Sequence, residues 1–190
     1  DGQIITPEGM VEGDLAIAAG RIAAIGSNLG RAACEISALG KYVMPGGVDP
    51  HAHIEQMSGM GLMNADTFET ATRSAAMGGT TSVISFAAQA GGQRLSQTLA
   101  DYAKRAQRGA MIDYAFHLTL TDLDVPSFEE DLAKLVAAGH RSLKIFTTYN
   151  IQLRDPEVLN VLTLARRYGA LVCVHAENDA IIARAKNALL

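Results

Sequence analysis

From Pro45 onward, short apolar segments alternate with helix-like segments, and this repeat constrains the fold more than any other feature. Their starts are spaced by roughly 30 residues, the length of one βα unit. Short apolar strands that alternate with helices predict a parallel sheet covered by helices. The five strand candidates are Gly47–Ala52, Thr81–Phe86, Tyr114–Thr119, Ser142–Phe146 and Leu171–Ala176.

Five strand–helix units leave two architectures open. An open, doubly wound sheet can be built from five strands, whereas a (β/α)8 barrel needs eight, typically in about 250 residues. The final segment, Ala180–Leu190, has a helical pattern that stops without a cap or a breaker. The sequence therefore predicts an α/β fold and indicates that the chain is truncated.

The segment before Pro45 follows a different pattern. Asp14–Ala18 alternates in polarity, Ala19-Gly20 predicts a turn, and Arg21–Ile25 resumes the alternation, as in a β-hairpin. These strands form a β layer too small to bury a core alone. We therefore predict two domains, residues 1–44 and residues 45–190.

Composition and charge exclude several kinds of partner. The net charge is −4, and the 16 Lys and Arg residues are scattered, which argues against nucleic-acid binding. The densest basic cluster, Lys104, Arg105 and Arg108, is interpreted as a solvated helix face. No apolar run approaches the roughly 20 residues of a membrane span. Cys34 and Cys173 lack a pairing pattern, which favours a cytoplasmic location.

The strongest local motif places two histidines at the end of the first strand candidate. In an extended segment, residues two apart point the same way, so His51 and His53 aim two imidazoles at one point. Parallel α/β enzymes place their chemistry at this edge, and imidazole is a common ligand for zinc and similar metals. The alternative is two incidental loop histidines, but the Pro-Gly-Gly-Val-Asp sequence before them favours a metal site.

Lys144 lies within the apolar strand candidate Ser142–Phe146, where a charged amine is costly to bury. A neutral lysine amine can add carbon dioxide to form a carbamate, an anionic ligand able to bridge two metal ions. The alternatives are a lysine that reaches solvent at the strand end or one that pairs with a carboxylate. Spacing alone favours these alternatives.

Three further residues near strand ends are candidates for roles at the same edge. His175 ends the fifth strand candidate and is either a metal ligand or a hydrogen-bonded core residue. Cys173 shares its face but is more typical of a small core residue. His117 is interpreted as a core residue or a support for the ligands.

Together these residues resemble the amidohydrolase superfamily and, within it, the dihydropyrimidinase/hydantoinase branch. The resemblance covers essentially the whole chain, and four motifs in this order are not expected by chance. It implies the first five βα units of a (β/α)8 TIM barrel, preceded by part of a small β-sandwich. The motifs are Met44–His53, Ala76–Thr81, Ser142–Tyr149 and Val174–Asn178.

The resemblance also implies a site with two divalent metal ions, usually zinc, at the mouth of the barrel. His51 and His53 would bind the first ion, carbamylated Lys144 would bridge both ions, and His175 would bind the second. Tyr149 matches the tyrosine that hydrogen-bonds the substrate carbonyl and the developing oxyanion. The implied reaction is hydrolysis of a cyclic amide ring, a dihydropyrimidine or a hydantoin, to an N-carbamoyl amino acid.

The same family uses a further histidine on the sixth strand and an aspartate on the eighth, and neither position exists in this chain. We therefore expect that the chain alone is inactive and that its parent is active. Members of the intact family form homo-oligomers, usually tetramers, so the resemblance implies an oligomer. The alternatives are another cyclic amidase, such as an allantoinase or dihydroorotase, and a non-catalytic amidohydrolase-like assembly protein.

Overall fold

The computed structural model describes residues 1–58 and 61–189 of the chain. The chain divides into two compact units, Asp1–Gly46 and Gly47–Leu190. Each unit is described separately below.

The first unit contains a four-stranded mixed sheet with the order β3-β2-β1-β4. Neighbouring strands are antiparallel except for β1 and β4, which are parallel. Ala19 and Gly20 both have positive φ, 50° and 72°, as in the turn predicted between the second and third strands. The strands are β1 (Gly2–Thr6), β2 (Gly9–Ala18), β3 (Arg21–Gly26) and β4 (Tyr42–Val43).

The second unit contains a five-stranded sheet in sequential order, β5-β6-β7-β8-β9, in which every neighbouring pair is parallel. The prediction of five consecutive parallel strand–helix units is confirmed. The strands are β5 (Gly47–Ala52), β6 (Thr80–Ala88), β7 (Asp113–Thr119), β8 (Ser142–Phe146) and β9 (Leu171–His175). The helices are α1 (Phe68–Met77), α2 (Leu95–Gln107), α3 (Phe128–Ala137), α4 (Asp155–Tyr168) and α5 (Asp179–Leu189).

The strand limits differ from the prediction by at most two residues. Strand β6 extends to Ala88 because its last residues stay paired with β7 as far as Thr119. Strand β9 ends at His175 rather than Ala176. The first helix begins after Thr67, whose hydroxyl accepts a hydrogen bond from the Thr70 amide.

The five-stranded sheet has two chemically distinct faces because successive side chains along a strand alternate in direction. The outer face packs against the helices and forms the hydrophobic core. Its buried side chains include Val83, Ala87, Phe116, Leu118, Leu143 and Ile145. The inner face carries aromatic and polar side chains, including Phe86, His117, Thr119, Lys144, Phe146 and His175.

The sheet is curled with its inner face concave, as in a half-barrel. His117 on β7 makes a 2.8 Å hydrogen bond through Nε2 to the carbonyl oxygen of Pro50 on β5, across the intervening strand β6. A flat sheet would hold these strands about 9.5 Å apart, twice the spacing of neighbouring strands. No helix in the described ranges is long and apolar enough to cross a membrane.

Candidate active site

His51, near the end of β5, and His53, the residue that follows the strand, lie side by side on the inner face. The ring centroids of His51 and His53 are 5.2 Å apart, and both rings pack against Phe86 on β6. Asp49 accepts a hydrogen bond from the His51 backbone amide at 2.9 Å, and the register of β5 against β6 shifts between Asp49 and Ala52. This irregularity is typical of strand ends that orient functional side chains.

Burial lowers the pKa of His51 below its ordinary value, and the neighbouring His53 and Lys144 lower it further. A lower pKa keeps the imidazole neutral over a wider pH range. Neutral imidazole is the form that binds a metal ion. Lys144 and both histidines lie near the same ring, that of Phe86.

Glu55 anchors the segment after His53 to the helical layer, a role that the sequence analysis missed. It has a left-handed backbone, φ 46°, and its carboxylate accepts hydrogen bonds from the Phe68 amide and from Arg108, both at 3.0 Å. Arg105 donates to the Glu55 carbonyl oxygen at 2.5 Å. Lys104 and Arg108 are exposed, as predicted for a solvated helix face, whereas Arg105 is partly buried. The two arginines also hold this segment in place, a contact that the solvated-face interpretation did not include.

Lys144 is buried on the inner face, with 7% of its surface exposed. Its Nζ lies 4.9 Å from the ring centroid of Phe146 and 6.0 Å from that of Phe86. Within residues 1–58 and 61–189 it makes no hydrogen bond or ion pair. The lysine is therefore not paired with a carboxylate in the described part of the chain, and aromatic rings flank its amine.

Thr119 lies beside Lys144, since the two residues are paired in register on neighbouring parallel strands. Its hydroxyl oxygen is buried and has no hydrogen-bond partner in the described part of the chain. A buried hydroxyl without a partner costs free energy. Its presence at a strand end therefore indicates a hydrogen-bond partner from outside the described residues. This orphaned hydroxyl and the unpartnered amine of Lys144 occupy the same part of the inner face.

His175 and Tyr149 lie together at the next part of the inner face. The His175 ring stacks on Phe146 at 5.4 Å and lies 5.3 Å from the Tyr149 ring. The His175 Nε2 is 2.5 Å from a carboxylate oxygen of Glu177. Tyr149 has a left-handed backbone, φ 67°, and is half exposed, so its ring turns back towards His175 from a strained position.

The remaining two candidates, His117 and Cys173, lie on strands β7 and β9 of the same sheet. His117 is buried, and its Nδ1 contacts the Ser142 hydroxyl at 2.6 Å while its Nε2 contacts the Pro50 carbonyl oxygen. Nε2 must donate to that carbonyl, so the ring ties β7 to the strand that carries His51 and His53. Cys173 is paired in register with Lys144 and is partly buried.

A cavity of about 840 Å³ opens at the carboxyl edge of the strands. Its lining includes His53, Gln56, Phe86, Thr119 and Phe146. This volume lies within the range of small-molecule sites, and the edge is where parallel α/β folds bind their ligands.

The residues present fit a metal centre in chemical type. In the described ranges, no three His, Cys, Asp or Glu side chains are grouped closely enough to hold a metal ion. The inner face nevertheless offers the imidazoles of His51, His53 and His175, together with the buried amine of Lys144. An anionic group on that amine would add a fourth metal ligand to the three imidazoles. It would lie on the strand next to Thr119, whose hydroxyl could bond to it.

The amidohydrolase family model matches residues 42–189 of the chain. The chain is 39% identical over 185 residues to the D-hydantoinase of Geobacillus stearothermophilus, an alignment that covers 96% of the chain and 39% of that relative. The chain thus spans about two fifths of the length of the curated relatives it matches.

Solved structures give the same result for the fold. A crystal structure of D-hydantoinase from Bacillus sp. AR9 superposes with a TM-score of 0.91 at 38% identity, covering 99% of this chain and 42% of that one. A D-hydantoinase (dihydropyrimidinase) from Thermus sp. superposes with a TM-score of 0.90 at 33% identity, with the same coverage of both chains. The predicted fold class, an incomplete barrel preceded by a small β unit, is confirmed.

Proposed function

Because the chain belongs to the amidohydrolase family, in its hydantoinase and dihydropyrimidinase branch, we propose that it is part of a cyclic amidase. The whole protein would hydrolyse a cyclic amide ring, a dihydropyrimidine or a hydantoin, to an N-carbamoyl amino acid. One observation carries the proposal: Lys144 is buried without a partner on the face that also bears His51, His53 and His175. No hydrogen bond or ion pair in the described part of the chain gives this lysine a structural role, and its amine lies beside the rings of Phe86 and Phe146.

In this proposal, the chain's side chains hold two divalent metal ions, which we expect to be zinc. His51 and His53 would hold one ion, His175 would hold the other, and Lys144, as a carbamate, would be a ligand common to both. Bound metal ions of this kind acidify water and polarise a carbonyl group. The Thr119 hydroxyl, which has no partner in the described part of the chain, could donate to that carbamate, and the rings of Phe86 and Phe146 would flank it.

Tyr149 is the residue of this chain that we propose to contact the substrate. Its phenol donates a hydrogen bond to the oxygen of the ring amide that is attacked, where negative charge develops. The strained backbone at Tyr149 supports this role, because left-handed conformations of non-glycine residues concentrate at functional positions. Its ring lies beside His175, at the edge where the cavity opens.

The remaining proposals concern the whole protein. Residues 1–44 would supply part of a β-sandwich and residues 45–190 the first part of the barrel. Since the chain covers 39% of a relative's length, we propose that it is inactive by itself. The whole protein would be a homo-oligomer, with a tetramer as the expected form. The free cysteines Cys34 and Cys173 support a reducing, cytoplasmic location.

The test is hydrolysis of dihydrouracil and hydantoin by the whole protein, with zinc and bicarbonate supplied. Lys144→Ala should lower kcat/KM by roughly 100-fold or more, since loss of a ligand or its supporting group costs at least that order. Acetate or propionate, which can occupy the space of the lost carbamate, should restore part of the activity. The matched control is Lys104→Ala, an exposed helix lysine, which should leave kcat/KM unchanged.

Two results would contradict the proposal. A Lys144→Ala protein that keeps activity within about tenfold of the parent would remove the lysine from the reaction. Turnover of either substrate by the isolated chain, within about tenfold of the whole protein, would contradict its proposed inactivity, because an absent acid–base group costs roughly 10²–10⁴-fold.

A further inference from the structure

A glutamine follows the two histidines and contacts one of them directly. The Oε1 of Gln56 lies 2.7 Å from the Nδ1 of His53. An amide oxygen can only accept a hydrogen bond, so the Nδ1 of His53 carries the proton. The Nε2 of the neutral ring therefore carries the lone pair, the form in which a ring nitrogen binds a metal ion.

Gln56 is itself held in place by Asn64. The Gln56 amide nitrogen donates to the Asn64 Oδ1 at 2.8 Å, and the Asn64 amide nitrogen donates to the Gln56 carbonyl oxygen at 3.0 Å. Glu55, the preceding residue, is fixed by Arg105, Arg108 and Phe68. The side chain that contacts His53 thus extends from a backbone held on both sides.

The contrast with His175 shows that the contact at His53 is selective. His175 uses Nε2, not Nδ1, to contact the carboxylate of Glu177, so its neutral ring keeps the lone pair on Nδ1. That is the opposite tautomer from His53. An imidazole in water favours the proton on Nε2, so His175 follows the intrinsic preference and His53 departs from it. A hydrogen-bond acceptor at Nδ1, such as the Oε1 of Gln56, is what stabilises this less favoured tautomer of His53.

We propose that Gln56 is a positioning residue that fixes the tautomer and orientation of His53, leaving its Nε2 free for a metal ion. This inference rests on the proposed function for the identity of the ligand, but the tautomer itself can be measured without any metal. Partners of this kind orient ligand histidines, and their loss typically costs about 10–100-fold in metal affinity.

The first measurement is imidazole nitrogen NMR on the metal-free, ¹⁵N-labelled chain, with the His53 signals assigned from a His53→Asn variant. The unsubstituted chain should show His53 protonated on Nδ1. Gln56→Leu removes the acceptor and should move His53 to the Nε2-protonated form. Gln56→Glu retains an acceptor oxygen and should restore the Nδ1-protonated form. A merely structural role would not produce this reversal and rescue.

The second measurement is zinc affinity, by competition with a chelating dye in the presence of bicarbonate. Gln56→Leu should weaken zinc binding by at least about tenfold, while Gln56→Glu and the exposed control Gln107→Leu should not. His53 protonated on Nε2 in the unsubstituted chain, or an unchanged tautomer in Gln56→Leu, would overturn the proposal. A chain that binds no zinc but shows the predicted tautomers would instead overturn the proposed metal site and leave the role of Gln56 standing.

Discussion

Neighbouring residues of β8 point to opposite faces of the sheet and meet different surroundings. Leu143 and Ile145 are fully buried against the helices, among apolar side chains that fill the core. Lys144, between them, is nearly as buried, yet its amine has aromatic rings for neighbours and no polar partner in the described part of the chain. The two faces of β8 thus differ: the buried side chains on the outer face have apolar neighbours that suit them, whereas the amine of Lys144 on the inner face has no polar partner in the described part of the chain.

The difference shows how stability and function are divided in this unit. On the outer face, apolar burial supplies the free energy of folding. On the inner face, the buried Thr119 hydroxyl has no partner in the described part of the chain, which reduces that free energy. Such costs persist at functional sites because the outer face compensates for them.

The largest effect is expected from a substitution on the outer face. Leu143→Ala should lower the free energy of unfolding by about 2–5 kcal/mol, since it leaves a cavity in a fully buried site. Lys144→Met, its neighbour on the inner face, should leave that free energy unchanged or raise it, because it removes an unpartnered amine. Urea denaturation followed by circular dichroism measures both. A greater loss for Lys144→Met would reverse the comparison.

The features that could be predicted from the sequence are those set by residues close together in the chain. Residues 142–146 were predicted as a strand with its observed limits because an apolar run between turn residues is a local signal. His51 and His53 were predicted to lie together because a spacing of two fixes a common direction in an extended segment. These inferences needed only neighbours in the chain.

The parts that the sequence could not predict depend on contacts between distant residues. Glu55 lies about fifty residues before Arg105 and Arg108 in the sequence, so their contacts with it could not be predicted from the basic cluster alone. The left-handed backbone at Tyr149 has no glycine to mark it. The unpartnered state of Thr119 is a property of its surroundings and leaves no trace in local sequence.

The second largest effect concerns a buried carboxylate of the helical layer. Asp131 on α3 accepts hydrogen bonds from Arg94 and Ser96, and the contact with Arg94 lowers its pKa from the ordinary value of 3.8 to about 2. Because the folded pKa is depressed, this contribution is present above pH 3.8 and is lost as the pH falls towards 2. Asp131→Asn should therefore cost about 1–2 kcal/mol at pH 7.

The check is the free energy of unfolding of Asp131→Asn and of the unsubstituted chain between pH 7 and pH 2. The difference between them should shrink as the pH falls from about 4 to about 2 and vanish at the acid end. Glu130→Gln is the control, since Glu130 is exposed and pairs only on the surface with Lys134, so no measurable change is expected. A pH-independent cost of Asp131→Asn would show that packing, not charge, holds these helices.

A smaller effect with a diagnostic sign is expected at Thr119 on the inner face. Thr119→Val removes the unpartnered hydroxyl at nearly constant volume. Without bicarbonate and zinc, it should raise the free energy of unfolding by about 1 kcal/mol. With both supplied, the variant should gain less stability than the unsubstituted chain, because it cannot donate to a carbamate on Lys144.

Thermal denaturation of Thr119→Val and of the unsubstituted chain, with and without bicarbonate and zinc, separates these two effects. Equal gains in both proteins would exclude the hydroxyl from the site.

The smallest effect is expected at Ser85, which carries the second unpartnered buried hydroxyl but lies on the outer face. Ser85→Ala should raise the free energy of unfolding by about 0.5 kcal/mol, because relief of the unpaired hydroxyl is partly offset by the space it leaves. Ser85 pairs with Phe116 in the core, away from Lys144, so the change should be the same with and without bicarbonate and zinc. Thermal denaturation in the two buffers used for Thr119→Val measures it. A dependence on bicarbonate at Ser85 equal to that at Thr119 would mean that the ligand stabilises the sheet as a whole. The stabilisation by bicarbonate and zinc would then not be specific to the hydroxyl of Thr119 on the inner face.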